Sequence, residues 1–334
     1  MSQTVLYFIL LVFASFFLLK MTNIFLRYNK LSSKPTKRGL HKNPTTTSGG
    51  VFFIFYVAML LFFFEETLLG QNLIKISILL LFTLIFGIFD DKNNLSRRFK
   101  LTAQIVLSLI FIYFFNFKLL EIILPGINID HIYIALNILF IIGFINFINF
   151  IDGSDGNLIL FVIFIFICLI SKLQITLSID NYIYLIYFFP FLIIFYFFNI
   201  NKKIFLGESG SFFLSAFLIL NLNYYVLKDL VIISDILIIS SYFIVDMIIT
   251  FILRIYHYGK DSFTAHRDHA YQNFCYLKKN HKKLNLYMLI YNFLYVFPLY
   301  IMYVNKLISP SLTLIFCLMP SIYFVLKYSP LVKK

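Results

Sequence analysis

Tryptophan is absent from this chain, and charge is scarce: 13% of its 334 residues are Asp, Glu, Lys or Arg. The three cysteines, Cys168, Cys275 and Cys317, are too few and too scattered for a disulfide framework or for metal-ligand spacing. No HExxH pair occurs, and with 8 Pro and 12 Gly no Pro/Gly-rich linker divides the chain. No compact basic domain stands behind the net charge of +13, which argues against nucleic-acid binding. No basic residue precedes the first apolar run at 4–25 and no small-residue cleavage site follows it, so it reads as an uncleaved first span and not as a signal peptide. The missing Trp, set beside 44 Phe and 23 Tyr, reads as the bias of an AT-rich coding sequence, so aromatic number carries little weight.

What the chain has in abundance is apolar length. It is 61% hydrophobic, with a mean hydropathy of +0.89. Apolar runs recur end to end with short polar breaks, which predicts an all-α polytopic membrane protein; a membrane β-barrel would show short segments of alternating polarity instead. Eleven spans are predicted near 4–26, 49–64, 74–89, 101–116, 131–149, 157–171, 182–199, 210–226, 231–252, 285–304 and 310–326, within a single membrane domain covering 1–334. Lys and Arg sort by loop. Only Lys75, Lys118, Lys172, Lys228 and Lys306 fall on one side and Lys20 inside the first span; the rest of the 28 fall on the other side. That asymmetry predicts an outside N-terminus, a cytoplasmic C-terminus, and cytoplasmic segments at 27–48, 90–100, 150–156, 199–209 and 253–283.

The unusual residues gather on that cytoplasmic face. FDD at 89–91 sets two carboxylates side by side at a helix end, where each disfavours ionisation of the other unless a cation intervenes; the alternative is a solvated end neutralised by the RRFK that follows. IDGSDGN at 151–157 reads as a tight loop in which Gly153 and Gly156 permit close approach of a ligand to a helix start, or as a plain turn. Asn146 and Asn149 precede it roughly on the face of Asp152. LGESGS at 206–211 places Glu208 before a helix. KRGLHKNPTTTSGG at 37–50 joins basic residues, His41 and Thr46 to small hydroxyls suited to phosphate or sugar oxygens. HRDHAYQ at 266–272 offers His266, Arg267, His269 and Gln272 to phosphate; structural zinc lacks a third ligand. Asp246 lies inside a predicted span. The acids of the other face, Glu65, Glu66, Glu121, Asp130, Asp180, Asp229 and Asp235, are scattered. Acids for a divalent cation, bases for phosphate and Gly-bounded loops together fit phosphoryl transfer, which works by positioning and charge neutralisation.

In order and content these motifs, RGLHKNPTTTSGG, GIFDD with LSRRFKLTAQ, NFINFIDGSDGN, FLGESGS, and Asp246 through HRDHAYQ, resemble the polyprenyl-phosphate N-acetylhexosamine-1-phosphate transferases, members of glycosyltransferase family 4. The resemblance covers residues 38–272. It implies that a UDP-linked N-acetylhexosamine gives its sugar-1-phosphate to undecaprenyl phosphate with release of UMP, with Mg2+ as cofactor and Mn2+ as its substitute. The AHRDHAYQ ending resembles the branch that begins O-antigen and related surface glycans with 6-deoxy sugars; the phospho-N-acetylmuramoyl-pentapeptide transferases, the alternative branch, carry a run of His there. The family usually has Asp where this chain has Glu208, one methylene longer, which shifts the cation or has it bound through water. Relatives imply a homodimer.

On this resemblance Asp91, Glu208 and Asp152 are the expected metal ligands. Asp90 orients or deprotonates the lipid phosphate, and Lys100, Arg267 and His269 offset phosphate charge. Asn146, Asn149, Asp152, Gly153, Asp155, Gly156, His41, Thr46, His266 and Gln272 hold the substrate. A proton- or cation-coupled transporter is the rival class, with Asp246 as its relay. Against it, the polar residues cluster at one face and no matching pair of broken helices appears in the sequence.

Overall fold

A long apolar segment in lipid must satisfy its own backbone, and a helix is the way a single segment does so. The computed structural model, which describes residues 3–33, 44–64, 72–117, 130–260 and 268–332, is all-α apart from one two-residue antiparallel pairing, β1 (Ser32–Ser33) with β2 (Thr45–Thr46). His41, His266 and Arg267 lie outside the described residues.

In chain order the helices are α1 (Gln3–Tyr28), a 3-10 turn (Gly49–Phe53) running into α2 (Ile54–Phe63), α3 (Leu73–Asn93), α4 (Arg97–Phe114), α5 (Asp130–Ile151), α6 (Asn157–Leu173), α7 (Ile183–Ile200) and α8 (Gly207–Leu227). There follow α9 (Ile233–Ile239), α10 (Ser241–Tyr258), α11 (Ala270–Lys278), α12 (His281–Leu289), a π turn (Ile290–Val296), α13 (Phe297–Val304) and α14 (Pro310–Tyr328). Among the described residues seven helices are long and apolar enough to cross a membrane, or eight if the bent pair α9–α10 forms one span. The chain is thus a polytopic helical membrane protein. Gly49–Phe63 and Asn157–Leu173 are apolar but shorter, and α4 opens with three basic residues, Arg97, Arg98 and Lys100.

The predicted span 231–252 is not one straight helix. It bends by 79° between α9 and α10. The break falls at the Ser240–Ser241 pair; the Ser241 hydroxyl shares a hydrogen bond with Tyr291 Oη at 2.8 Å. Asp235, read from sequence as a scattered acid of the outer face, lies inside α9 and is fully buried. Lys172 meets it at 2.5 Å, and it accepts from the Ile232 amide and the Tyr300 hydroxyl.

The helices cluster into two compact units. One holds residues 1–159 and 173–231, the other 160–172 and 232–334. In the first, α8 is the axis, buried from Ser209 through Val226 except at Tyr224, and α3 packs along it. At its core Tyr56 donates to the Tyr184 carbonyl, while the Tyr184 hydroxyl meets Asn221 at 2.7 Å and Tyr225 at 2.8 Å. α1 turns Phe13, Phe17, Met21 and Ile24 outward, the apolar surface a bilayer solvates. The second unit packs α10 and α11 on α14.

Where Gly87 of α3 meets the start of α8 the contact is backbone on backbone. A Cβ at Gly87 would collide with the Cα of Ser209, and one at Gly50 with the main chain of Gly210. We expect Gly87→Ala to destabilise the protein by about 1–3 kcal/mol through overpacking, read as thermal unfolding in detergent. Gly143→Ala in α5, where a Cβ meets nothing within 4 Å, should be neutral or stabilising by about 0.5–1 kcal/mol.

Candidate active site

Three helix ends and two loops of the first unit bring the predicted carboxylates together. α3 ends just after Asp90 and Asp91, with Asn94 in the left-handed region at φ 49° as its stop. The chain turns directly into α4, whose N-cap Ser96 accepts from the Phe99 amide. Lys100 then lies one turn into α4. Its Nζ bridges Asp90 Oδ2 at 2.5 Å and Glu208 Oε1 at 3.0 Å, joining α3 to the start of α8. Asp90 is 2% exposed, and its other oxygen accepts from the Leu95 amide at 3.0 Å. Burial works against the Lys100 ammonium, but its bonds to Asp90 and Glu208 outweigh this and raise its pKa above the ordinary lysine value.

Asp91 does something different. Its two oxygens accept from the backbone N–H groups of Glu208 and Ser209, at 2.9 and 3.3 Å. The first N–H groups of any helix lack partners within it and carry its positive dipole end. Asp91 thus caps α8 from α3, and Gly207, at φ +74°, leaves room for the carboxylate. The strand-like segment before the 3-10 turn lies alongside: Gly49 and Gly50 donate to the Phe205 and Leu206 carbonyls, and the Phe205 amide donates to Thr46 O. Thr46 is buried there, its hydroxyl accepting from Arg27 Nε at 3.3 Å.

From α5, Asn149 donates to Glu208 Oε2 and, at 3.3 Å, to Ser211. Asn146, one turn earlier, instead pairs with Gln104 of α4 by exchanged amide bonds. The IDGSDGN loop follows. Gly156 adopts φ +80°, whereas Gly153 does not use the left-handed region. The Gly156 amide donates to Asn199 Oδ1 at 2.5 Å, and Asn199 Nδ2 donates to the Ile204 carbonyl at 2.9 Å. This buried Asn clamps the 151–157 loop to the 204–208 loop. It escaped the sequence reading, although a lone amide at the end of an apolar helix was a signal; Gln104 was read only as the end of the LSRRFKLTAQ motif, without a role.

Asp152 lies beyond the end of α5. Burial, and then the charges of Asp155, Glu208 and Asp91, push its carboxyl well above the ordinary range. Four carboxylates within electrostatic reach of one another suit a hard cation by donor chemistry. Among the described residues no three His, Cys, Asp or Glu converge into a metal-binding group.

In the second unit Asp246 accepts from the Ala270 amide at 3.0 Å, Thr250 at 3.1 Å and the Tyr271 amide at 3.5 Å. His269, in extended backbone before α11, has Nδ1 3.7 Å from Asp246. Gln272 donates to the Tyr271 hydroxyl.

Residues 73–224 match the family model described as Glycosyl transferase family 4. The match runs from α3 into α8 and takes in Asp90, Asp91, Lys100, Asn149, Asp152, Asn199 and Glu208, but neither Thr46 nor the 246–272 segment. The match spans less than half of the chain, and over that stretch the chain is similar to the family. No curated protein matched the chain.

Two expectations follow for metal-free protein in detergent. Lys100→Met leaves buried Asp90 without its cation and should cost about 3 kcal/mol, the lower end for a broken buried pair. Asp152→Asn should stabilise. A raised carboxyl pKa means the fold favours the neutral form, so stability is greatest below the unfolded value of about 4 and falls as pH rises through the folded value. The Asn variant should therefore melt higher than wild type at pH 8, by roughly 2–4 °C per kcal/mol relieved, with the gap closing toward pH 4. Differential scanning across pH checks both.

Proposed function

We propose that this chain is a glycosyl transferase family 4 enzyme, as the similarity over 73–224 suggests, and that it transfers an N-acetylhexosamine-1-phosphate from a UDP-sugar to undecaprenyl phosphate. UMP is released, in the first membrane step of a surface glycan such as O-antigen. The site would face the cytoplasm from a bacterial inner membrane, following the Lys/Arg asymmetry. The observation that carries the reading is the junction at Lys100, which ties Asp90 of α3 to Glu208 of α8 beside Asn149 of α5.

In this reaction a phosphate oxygen of the lipid attacks the phosphorus that bears the sugar; the bond to UMP breaks and UMP leaves with its electron pair. A phosphate monoester has a second pKa near ~6, so the nucleophile is largely dianionic at neutral pH and no strong base is required. Asp90 is buried with one oxygen on Lys100 and the other on the Leu95 amide. That favours its service as an orienting group through Lys100 over a covalent phospho-aspartate. Lys100 offers its ammonium to the phosphates. Asn149 sets the carboxylate of Glu208, and Asp91 sets the helix that carries it. Mg2+, when bound, would neutralise the diphosphate; Asp91, Glu208 and Asp152, the ligands the resemblance implies, would help to hold it together with substrate oxygens. Asn199 keeps the IDGSDGN loop, with Asp152 and Asp155, against the 204–208 loop. The roles of His269 and Gln272 toward the sugar nucleotide are carried by the resemblance alone.

Purified protein in nanodiscs with undecaprenyl phosphate and a panel of UDP-sugars tests this reading. UMP should appear with at least one UDP-N-acetylhexosamine, require the lipid, and stop with EDTA. Exclusive use of a UDP-muramoyl-pentapeptide would move the chain to the peptidoglycan branch. Ion flux in proteoliposomes without UMP would replace the transferase with a transporter.

A further inference from the structure

α10 carries Asp246, Thr250 and Arg254 four residues apart, on one helical face. All three are buried in a largely apolar helix, at 1%, 1% and 4% exposure. A carboxylate and a guanidinium in such a place are costly without partners. The partners lie on the entry to α11. Asp246 Oδ1 accepts from the Ala270 amide and from Thr250, Oδ2 from the Tyr271 amide, and the His269 ring stands 3.7 Å from Oδ1. Arg254 is ion-paired with Asp268. Ala270 and Tyr271 open α11, their N–H groups have no partner within the helix, and the His269 side chain supplies no cap.

We infer that Asp246, supported by Arg254, is a positioning residue that fixes His269 and the first turn of α11 for the sugar nucleotide. The role of His269 rests on the transferase reading; the anchoring does not. A relay aspartate must cycle its proton, and each protonation would take an acceptor away from the amides it holds. The two anchors are two turns apart on α10, so they fix both the position and the direction of the 268–271 segment.

Buried Cys275 lies within α11. In protein with Cys168→Ser and Cys317→Ser, its alkylation by a membrane-permeant maleimide reports how firmly α11 is docked. Asp246→Ala should speed alkylation about fivefold or more, the equivalent of one lost helix cap. Asp246→Asn, which keeps one acceptor oxygen, should stay within about twofold of the parent. UMP release should fall in Asp246→Ala, and adding that change to His269→Ala should cost nothing further, because both act through one imidazole. Unchanged alkylation in Asp246→Ala, or multiplicative losses of turnover with His269→Ala, overturns the inference. If Asp246→Ala does not fold, Arg254→Gln and Asp268→Asn decide it. Each alone should speed alkylation, and together they should be no worse than the worse single change, since no unmatched charge remains; multiplying effects overturn it. A parent protein that releases no UMP from any UDP-sugar removes the transferase reading, and the alkylation series still decides the anchoring.

Discussion

The candidate site depends on a carboxylate that reaches across from one helix to begin another. Asp91 takes the first two amides of Glu208–Ser209, so the direction of α8 and the place of Glu208 are set by the end of α3. An aspartate in this role must be close and shielded from competing water. The meeting of α3 with α8 at Gly87 provides the closeness. Lys100 then ties Glu208 back to Asp90, the other member of the pair. The adjacent acids of FDD thus divide the work: one sets a helix, the other holds a lysine.

Net negative charge remains after these bonds are made. Lys100 is shared between Asp90 and Glu208, and the surplus adds to burial, the larger cause, in displacing the Asp152 carboxyl upward. A fold that tolerates this gives up stability at the point where a bound diphosphate and its cation would bring compensation. Strain of this kind is common where function and stability compete.

Much of the architecture was legible in the sequence because lipid imposes simple rules. Apolar length predicted the helices, but among the described residues only seven, or eight with the bent pair as one span, are long and apolar enough to cross a membrane, against the eleven proposed. The 79° bend was not legible, because a Ser–Ser pair inside an apolar run barely alters hydropathy, and its effect depends on Tyr291 some fifty residues away. The same holds for Asp235, which sequence position assigned to a scattered set and Lys172 draws into the interior. At the site, the Gly-bounded acids and their convergence could be read from spacing. Their partners could not, since Asn199, Gln104 and the capping amides of α8 are chosen by three-dimensional proximity. Asn146 shows the limit: its spacing put it on the polar stripe of Asp152, but its amide partner Gln104 comes only from the fold.

The glycine contact between α3 and α8 has a mechanical consequence. Where they meet at Gly87 and Ser209 the two helices have no side chain between them to compress or shear, so at that end they respond to the bilayer as one unit. A membrane thinner or thicker than the protein prefers would be accommodated by peripheral elements such as the lipid-facing α1, through tilt or lipid deformation. The spacing among Asp90, Asp91 and Glu208 would hold steady while acyl-chain length varies around it.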